Sequence, residues 1–72
     1  MKSYNGHRSW NAWNVSLWID NDYNTYVYAR DLVKDMGITR AVRCFVHNFD
    51  KTPDGAVYNA LSVRLALEAF EE

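Results

Sequence analysis

Cysteine, proline and glycine are scarce in this chain, with one Cys, one Pro and three Gly among 72 residues. Cys44 therefore has no partner for an intrachain disulfide and no companions for a Cys-rich metal site, which fits a reducing cytoplasm. His7 and His47 are distant in sequence and supply no metal-ligand spacing. Neither sign of charge is in excess: eight Lys+Arg against nine Asp+Glu leave a formal net charge of −1. No global field then favours nucleic acid or an anionic membrane. Long apolar runs are missing as well, so no signal-like segment is expected at Met1–Gly6 and no bilayer-spanning stretch elsewhere. There is no Gly-rich phosphate loop and no nucleophile–His–acid arrangement. These absences argue against an enzyme, a cofactor and a metal.

What is present is large apolar surface. Hydrophobic residues make up 49% of the chain, with three Trp, five Tyr and three Phe. Each buried aromatic removes roughly 150–250 Å² from water, at about 25 cal/mol per Å². This size is expected to form one domain over residues 1–72, marginal enough that an oligomer would help it. No repeats, linkers or low-complexity segments interrupt it.

The patterning predicts a mainly α fold, a small bundle of about four short helices behind an extended arm at residues 1–8. Ser9 sits as an N-cap before a helix over Trp10–Ile19, in which Trp10, Trp13 and Leu17 share a face expected to be core. The alternation of Val15, Leu17 and Ile19 keeps a strand as the competing reading. Trp18 lies off the Trp10 face and is the interface candidate of the three tryptophans. Asn14, between apolar neighbours, is expected to hold a buried turn by bonding backbone.

Asp22 or Asn24 caps a second helix from Tyr23 to Met36, stopped by Gly37 at C′. Its buried stripe reads Tyr26, Ala29, Leu32, Val33 and Met36, with Tyr28 at the boundary. Asp20, Asp22 and Asn24 loosely imitate a calcium loop, but its glycine and terminal glutamate are missing, so capping explains them better. Thr39 is the expected cap of a third helix from Arg40 to Phe49, with Val42, Phe45 and Phe49 inward. Arg40, Arg43 and His47 then form a polar face, which is either an ordinary solvated helix face or a site that suits carboxylates or phosphates, extended by Arg30 and Lys51 if packing brings them near.

Asp50-Lys51-Thr52-Pro53-Asp54-Gly55 reads as a loop that becomes a helix start, with Thr52 as N-cap and Pro53 at N1, although Gly55 weakens that start and lets it slip toward Tyr58. The last helix carries one stripe of Ala56, Ala60, Val63, Leu67 and Phe70, and a second of Tyr58, Leu61 and Leu65. A helix apolar on two sides is either central to its own bundle or covered by a partner. Candidate partner-binding residues are accordingly Arg40, Arg43, His47, Trp18, Tyr28, Tyr58, Leu61 and Leu65.

The run from Tyr4 to Asp22 contains Asn5-Gly6, a short spacer, and Trp13-Asn14-Val15-Ser16-Leu17-Trp18-Ile19-Asp20-Asn21-Asp22. It resembles a family of small, mostly uncharacterised proteins of bacteriophages and other mobile elements, with the pattern N-G…W-N-V-x-L-W-I-x-N-D. Thr52-Pro53-Asp54-Gly55 with Tyr58 looks familial too. Members continue with an acidic residue, Gly and Leu-Tyr where this chain reads Tyr23-Asn24-Thr25-Tyr26, so contacts after Asp22 are expected to differ. The resemblance implies a phage origin and supplies no catalytic residues. Small phage proteins commonly adhere to a host protein, such as a CRISPR effector, another defence enzyme or the transcription machinery. The expectation is a stoichiometric inhibitor acting on a host protein in the host cytoplasm. A nucleic-acid-binding accessory protein and a homo-oligomeric structural protein, a homodimer for example, are the alternatives.

Overall fold

A polar residue whose side chain folds back onto free N–H groups starts each of the helices Trp10–Asn21, Tyr23–Asn48 and Ala60–Leu67. The computed structural model describes residues 9–71; the arm expected at residues 1–8 lies outside them. Helix α1 (Trp10–Asn21) begins at Ser9, whose hydroxyl accepts from the Ala12 N–H at 3.2 Å. Helix α2 (Tyr23–Asn48) begins at Asp22, whose carboxylate accepts from the N–H of Thr25 at 3.3 Å and from its hydroxyl. Asp22 thus works as a helix cap. Helix α3 (Ala60–Leu67) begins at Asn59, which forms a reciprocal capping box with Ser62. A single 3₁₀ turn, Glu68–Glu71, follows. Residues 10–19 are helical, which removes the strand alternative.

α2 is two helical arms joined at Gly37, whose φ of 81° and ψ of 165° are not helical. The expected glycine stop is there, but its ψ is extended, and the chain re-enters a helix at once. That backbone region is essentially reserved for glycine. The second arm restarts at Ile38, which is buried and anchors it, so Thr39 sits inside the first turn and is not its cap. Among the described residues, α1, the two arms of α2 and α3 make a small bundle of four helical segments, as the patterning predicts. No strand forms among the described residues, only an isolated antiparallel bridge between Lys51 and Val57.

The core joins aliphatic side chains and an aromatic group in one cluster. Val15, Ile19, Val63 and Leu67 are fully buried, with Ala29 and Ala41 allowing close helix approach. Phe45 stacks on Phe49 with ring centroids 4.5 Å apart, and Tyr28 and Tyr58 tilt against both. Tyr26 packs on Phe70 at 5.2 Å and ties the 3₁₀ turn to α2.

Several expected core residues face elsewhere. Trp10 is 40% exposed and Trp13 half-buried. The buried stripe of α1 is Ala12, Val15 and Ile19, which has the same i, i+3, i+7 spacing as Trp10, Trp13 and Leu17. Spacing admits both stripes, and the smaller one lets α1 lie closer to its neighbours. Met36 is exposed because it ends the first arm beside the Gly37 break.

The segment after Phe49 departs most from expectation. Thr52-Pro53 does not open a helix. The Gly55 N–H donates to the Thr52 carbonyl at 2.9 Å, closing a turn with Pro53 and Asp54 at its corners. Gly55 itself has φ 95°, a conformation that favours glycine. The Thr52 N–H donates to the Ala56 carbonyl at 2.8 Å, and the Tyr58 N–H to that of Asp50 at 3.0 Å, so residues 50–58 form a small hairpin-like loop.

Candidate docking groove

The loop is held in place by one stripe of α1. Asn11, Asn14 and Trp18 recur at i, i+3, i+7, and all three bond to it. The Asn11 side chain pairs with the Val57 backbone as a neighbouring strand would, donating to its carbonyl at 2.9 Å and accepting from its N–H at 2.7 Å. Asn14 is only 1% exposed. Its Oδ1 accepts from the Thr52 hydroxyl at 2.6 Å, and its Nδ2 donates to Asp54 Oδ2 at 2.9 Å. The Trp18 indole N–H donates to the same Asp54 oxygen at 3.0 Å. Thr52 completes the network by accepting from the Ala56 N–H at 3.0 Å. Asn14 is thus a buried structural residue as expected, but its partners are side chains of the loop rather than backbone. The hydrogen bonds from Asn14 and Trp18 hold the Asp54 carboxyl below the usual aspartate range.

Helix α3 follows the clamped loop directly, with Asn59 as its cap. Its first turn, at Ala60, is set against the second arm of α2. Between the two lies a groove of about 340 Å³ lined by Thr39, Val42, Arg43, Val46, Ala60 and Arg64. Val42 and Val46 supply an aliphatic floor. Arg43 rises from α2 and Arg64 from α3, and both are exposed. The one ion pair among the described residues is Arg30 with Asp31 at 3.4 Å, so neither groove arginine has a carboxylate within pairing distance there. Ala60, the first residue of α3, brings the positive end of that helix to the groove.

The candidate partner-binding residues fall into three groups. Arg40, Arg43 and His47 are exposed on the second arm of α2, but only Arg43 lines the groove, and Arg30 is occupied by Asp31. Tyr58 is 5% exposed and lies ahead of α3, among Phe45 and Phe49. It is a core residue, and the expected Tyr58/Leu61/Leu65 stripe does not exist as one surface: Leu61 is 54% exposed and Leu65 half-buried. The companion stripe is likewise split, with Ala56 buried in the loop and Ala60 exposed at the helix start. Burial, with the charge of Asp22, pushes the Tyr58 phenol up.

Trp18 and Tyr28 are committed internally. Trp18 is half-buried and bonded to Asp54. The Tyr28 hydroxyl accepts from Asn48 Nδ2 at 2.9 Å and lies 3.6 Å from Cys44 Sγ. Burial, then the neighbouring Cys44, pushes its phenol up as well.

Sequence reasoning missed Arg64, which lies between Val63 and Leu65, one from each of the two apolar stripes of the last helix. Its pairing with Arg43 depends on how α3 packs. The Thr52-Pro53-Asp54-Gly55 turn had a signal, since Pro-Asp-Gly is turn chemistry in its own right. Among the described residues no three His, Cys, Asp or Glu side chains gather as a metal site, and no helix is long and apolar enough to cross a membrane.

No curated protein and no solved structure matches the chain. A family model does, and it spans both segments that the clamp joins, the Trp13–Asp22 run and the turn at residues 52–55. Matched over residues 1–71, the chain belongs to the family of unknown function DUF7249.

Proposed function

We propose that this protein is a phage-encoded accessory protein that inhibits a host protein in the host cytoplasm by stoichiometric docking, with the groove between α2 and α3 as its contact face. The observation that carries the reading is the pair Arg43 and Arg64. They stand over Val42 and Val46 with no carboxylate of the described residues to neutralise them. Arginine is enriched at binding hot spots, and here two arginines stand beside apolar lining that a partner can desolvate. The phage origin is supported by the W-N-V-x-L-W-I-x-N-D run. Docking in place of catalysis is supported by the absence of a catalytic motif in the sequence.

The test compares capture from host lysate by the wild-type protein and by Arg43→Glu with Arg64→Glu. A host protein retained by the first and lost by the second is the expected result. Equal retention by both removes the groove from the interface, and retention by neither removes docking itself.

A further inference from the structure

We infer that the groove takes an acidic segment of a partner protein in which an apolar side chain is flanked by carboxylates. The inference rests on the docking reading and names the chemistry of its partner. It follows from the arrangement of the lining. The two cations stand on different walls, Arg43 on α2 and Arg64 on α3, while the floor between them is aliphatic. An occupant that satisfies all of this places an apolar group on Val42 and Val46 and a carboxylate toward each wall. A guanidinium meets a carboxylate with two parallel N–H donors, so each wall selects a planar anion. Arg40, three residues before Arg43 on the same arm, is also exposed and adds a further cation beside the groove.

The same lining disfavours nucleic acid. Single strands are held by stacking bases on aromatic side chains beside a cationic track. The aromatic rings of this protein's second arm, Phe45 and Phe49, instead pack inward on Tyr28 and Tyr58, and the groove floor is valine. Net charge of −1 gives no general attraction for a polyanion, whereas a local pair of arginines attracts a locally acidic peptide.

The experiment is an amide NMR titration of the full chain with a synthetic peptide of alternating Glu and Leu. Three controls accompany it: a Lys/Leu peptide, a Glu/Ser peptide of equal charge, and a short oligothymidine. The expected result is saturable shifts at Thr39, Val42, Arg43, Val46, Ala60 and Arg64 with the Glu/Leu peptide. Weakening of roughly tenfold or more is expected in Arg43→Glu with Arg64→Glu, as two attractions become repulsions. If that variant loses its dispersed spectrum, Arg43→Gln with Arg64→Gln is used and the weakening should persist. No groove shifts, equal binding of the Lys/Leu or Glu/Ser peptide, or preference for oligothymidine would each overturn the inference. If the peptide fails while lysate capture still depends on the two arginines, the partner chemistry is wrong and docking stands. If both fail, docking falls with it.

Discussion

The Thr52 hydroxyl donates to Asn14 Oδ1 at 2.6 Å, across 38 residues of chain. Through this contact, and through the bonds of Asn14 and Trp18 to Asp54, α1 holds the Pro-Asp-Gly turn against itself ahead of α3.

Asn14→Ala removes both of its bonds to the loop and leaves a buried hydroxyl proton on Thr52 without its acceptor. Loss of a buried partner costs roughly 1–3 kcal/mol, and in a domain of this size each kcal/mol lowers Tm by about 4–8 °C. Thermal unfolding followed by circular dichroism should show that drop with helicity intact at low temperature. An unchanged Tm would mean the clamp is not holding the fold.

Asp54 makes the clamp sensitive to acid. Its folded-state carboxyl titrates below the ordinary aspartate value because Asn14 and Trp18 donate to it. A depressed folded pKa contributes stability above the unfolded pKa, and that contribution is lost as pH falls through the folded value. Stability should therefore decline below about pH 4. Asp54→Ala should lower Tm at neutral pH and flatten the acid limb relative to wild type. Parallel acid limbs in the two proteins would exclude Asp54 as the group responsible.

Gly37→Ala tests the break in α2. An added Cβ at Gly37 has open space around it, so any cost comes from the backbone conformation alone. Occupying that glycine region with alanine costs of order 1–3 kcal/mol. Chemical denaturation should show a lower midpoint at an unchanged slope. A more stable variant would mean the two arms prefer to be one straight helix.

Much of the fold was legible because it is local. Ser9, Asp22 and Gly37 act on the residues beside them, so the starts of α1 and α2 and the position of the break can be read directly. The inner stripe of α1 was not legible, since Ala12/Val15/Ile19 and Trp10/Trp13/Leu17 obey one periodicity and only tertiary packing chooses between them. Thr52-Pro53 was misread as the start of α3 because Thr-Pro fits a helix start as well as a turn. The loop itself was legible, and the slip of the helix start toward Tyr58 was close to the Asn59 cap. Its side-chain partners are on another helix. Of the Arg40/Arg43/His47 face that was visible, only Arg43 lines the groove; Arg64 arrives from α3, and its place there follows from tertiary packing.

Tyr58 and Leu61 separate core from surface. Tyr58→Ala should destabilise by roughly 3 kcal/mol or more, as expected for removing a buried ring. Leu61→Glu should stay within about 0.5 kcal/mol of wild type because its side chain is largely exposed. Light scattering on Leu61→Glu should match wild type. A loss of oligomer with the fold retained would place a contact between copies on α3.

The most direct test of the docking account is a charge swap. The affinities of the Glu/Leu and Lys/Leu peptides are measured by calorimetry for the wild-type protein and for Arg43→Glu with Arg64→Glu. The account predicts that wild type prefers the acidic peptide and the variant the basic one, with both preferences shrinking as salt is added. Unchanged preference on swapping the two arginines would contradict it.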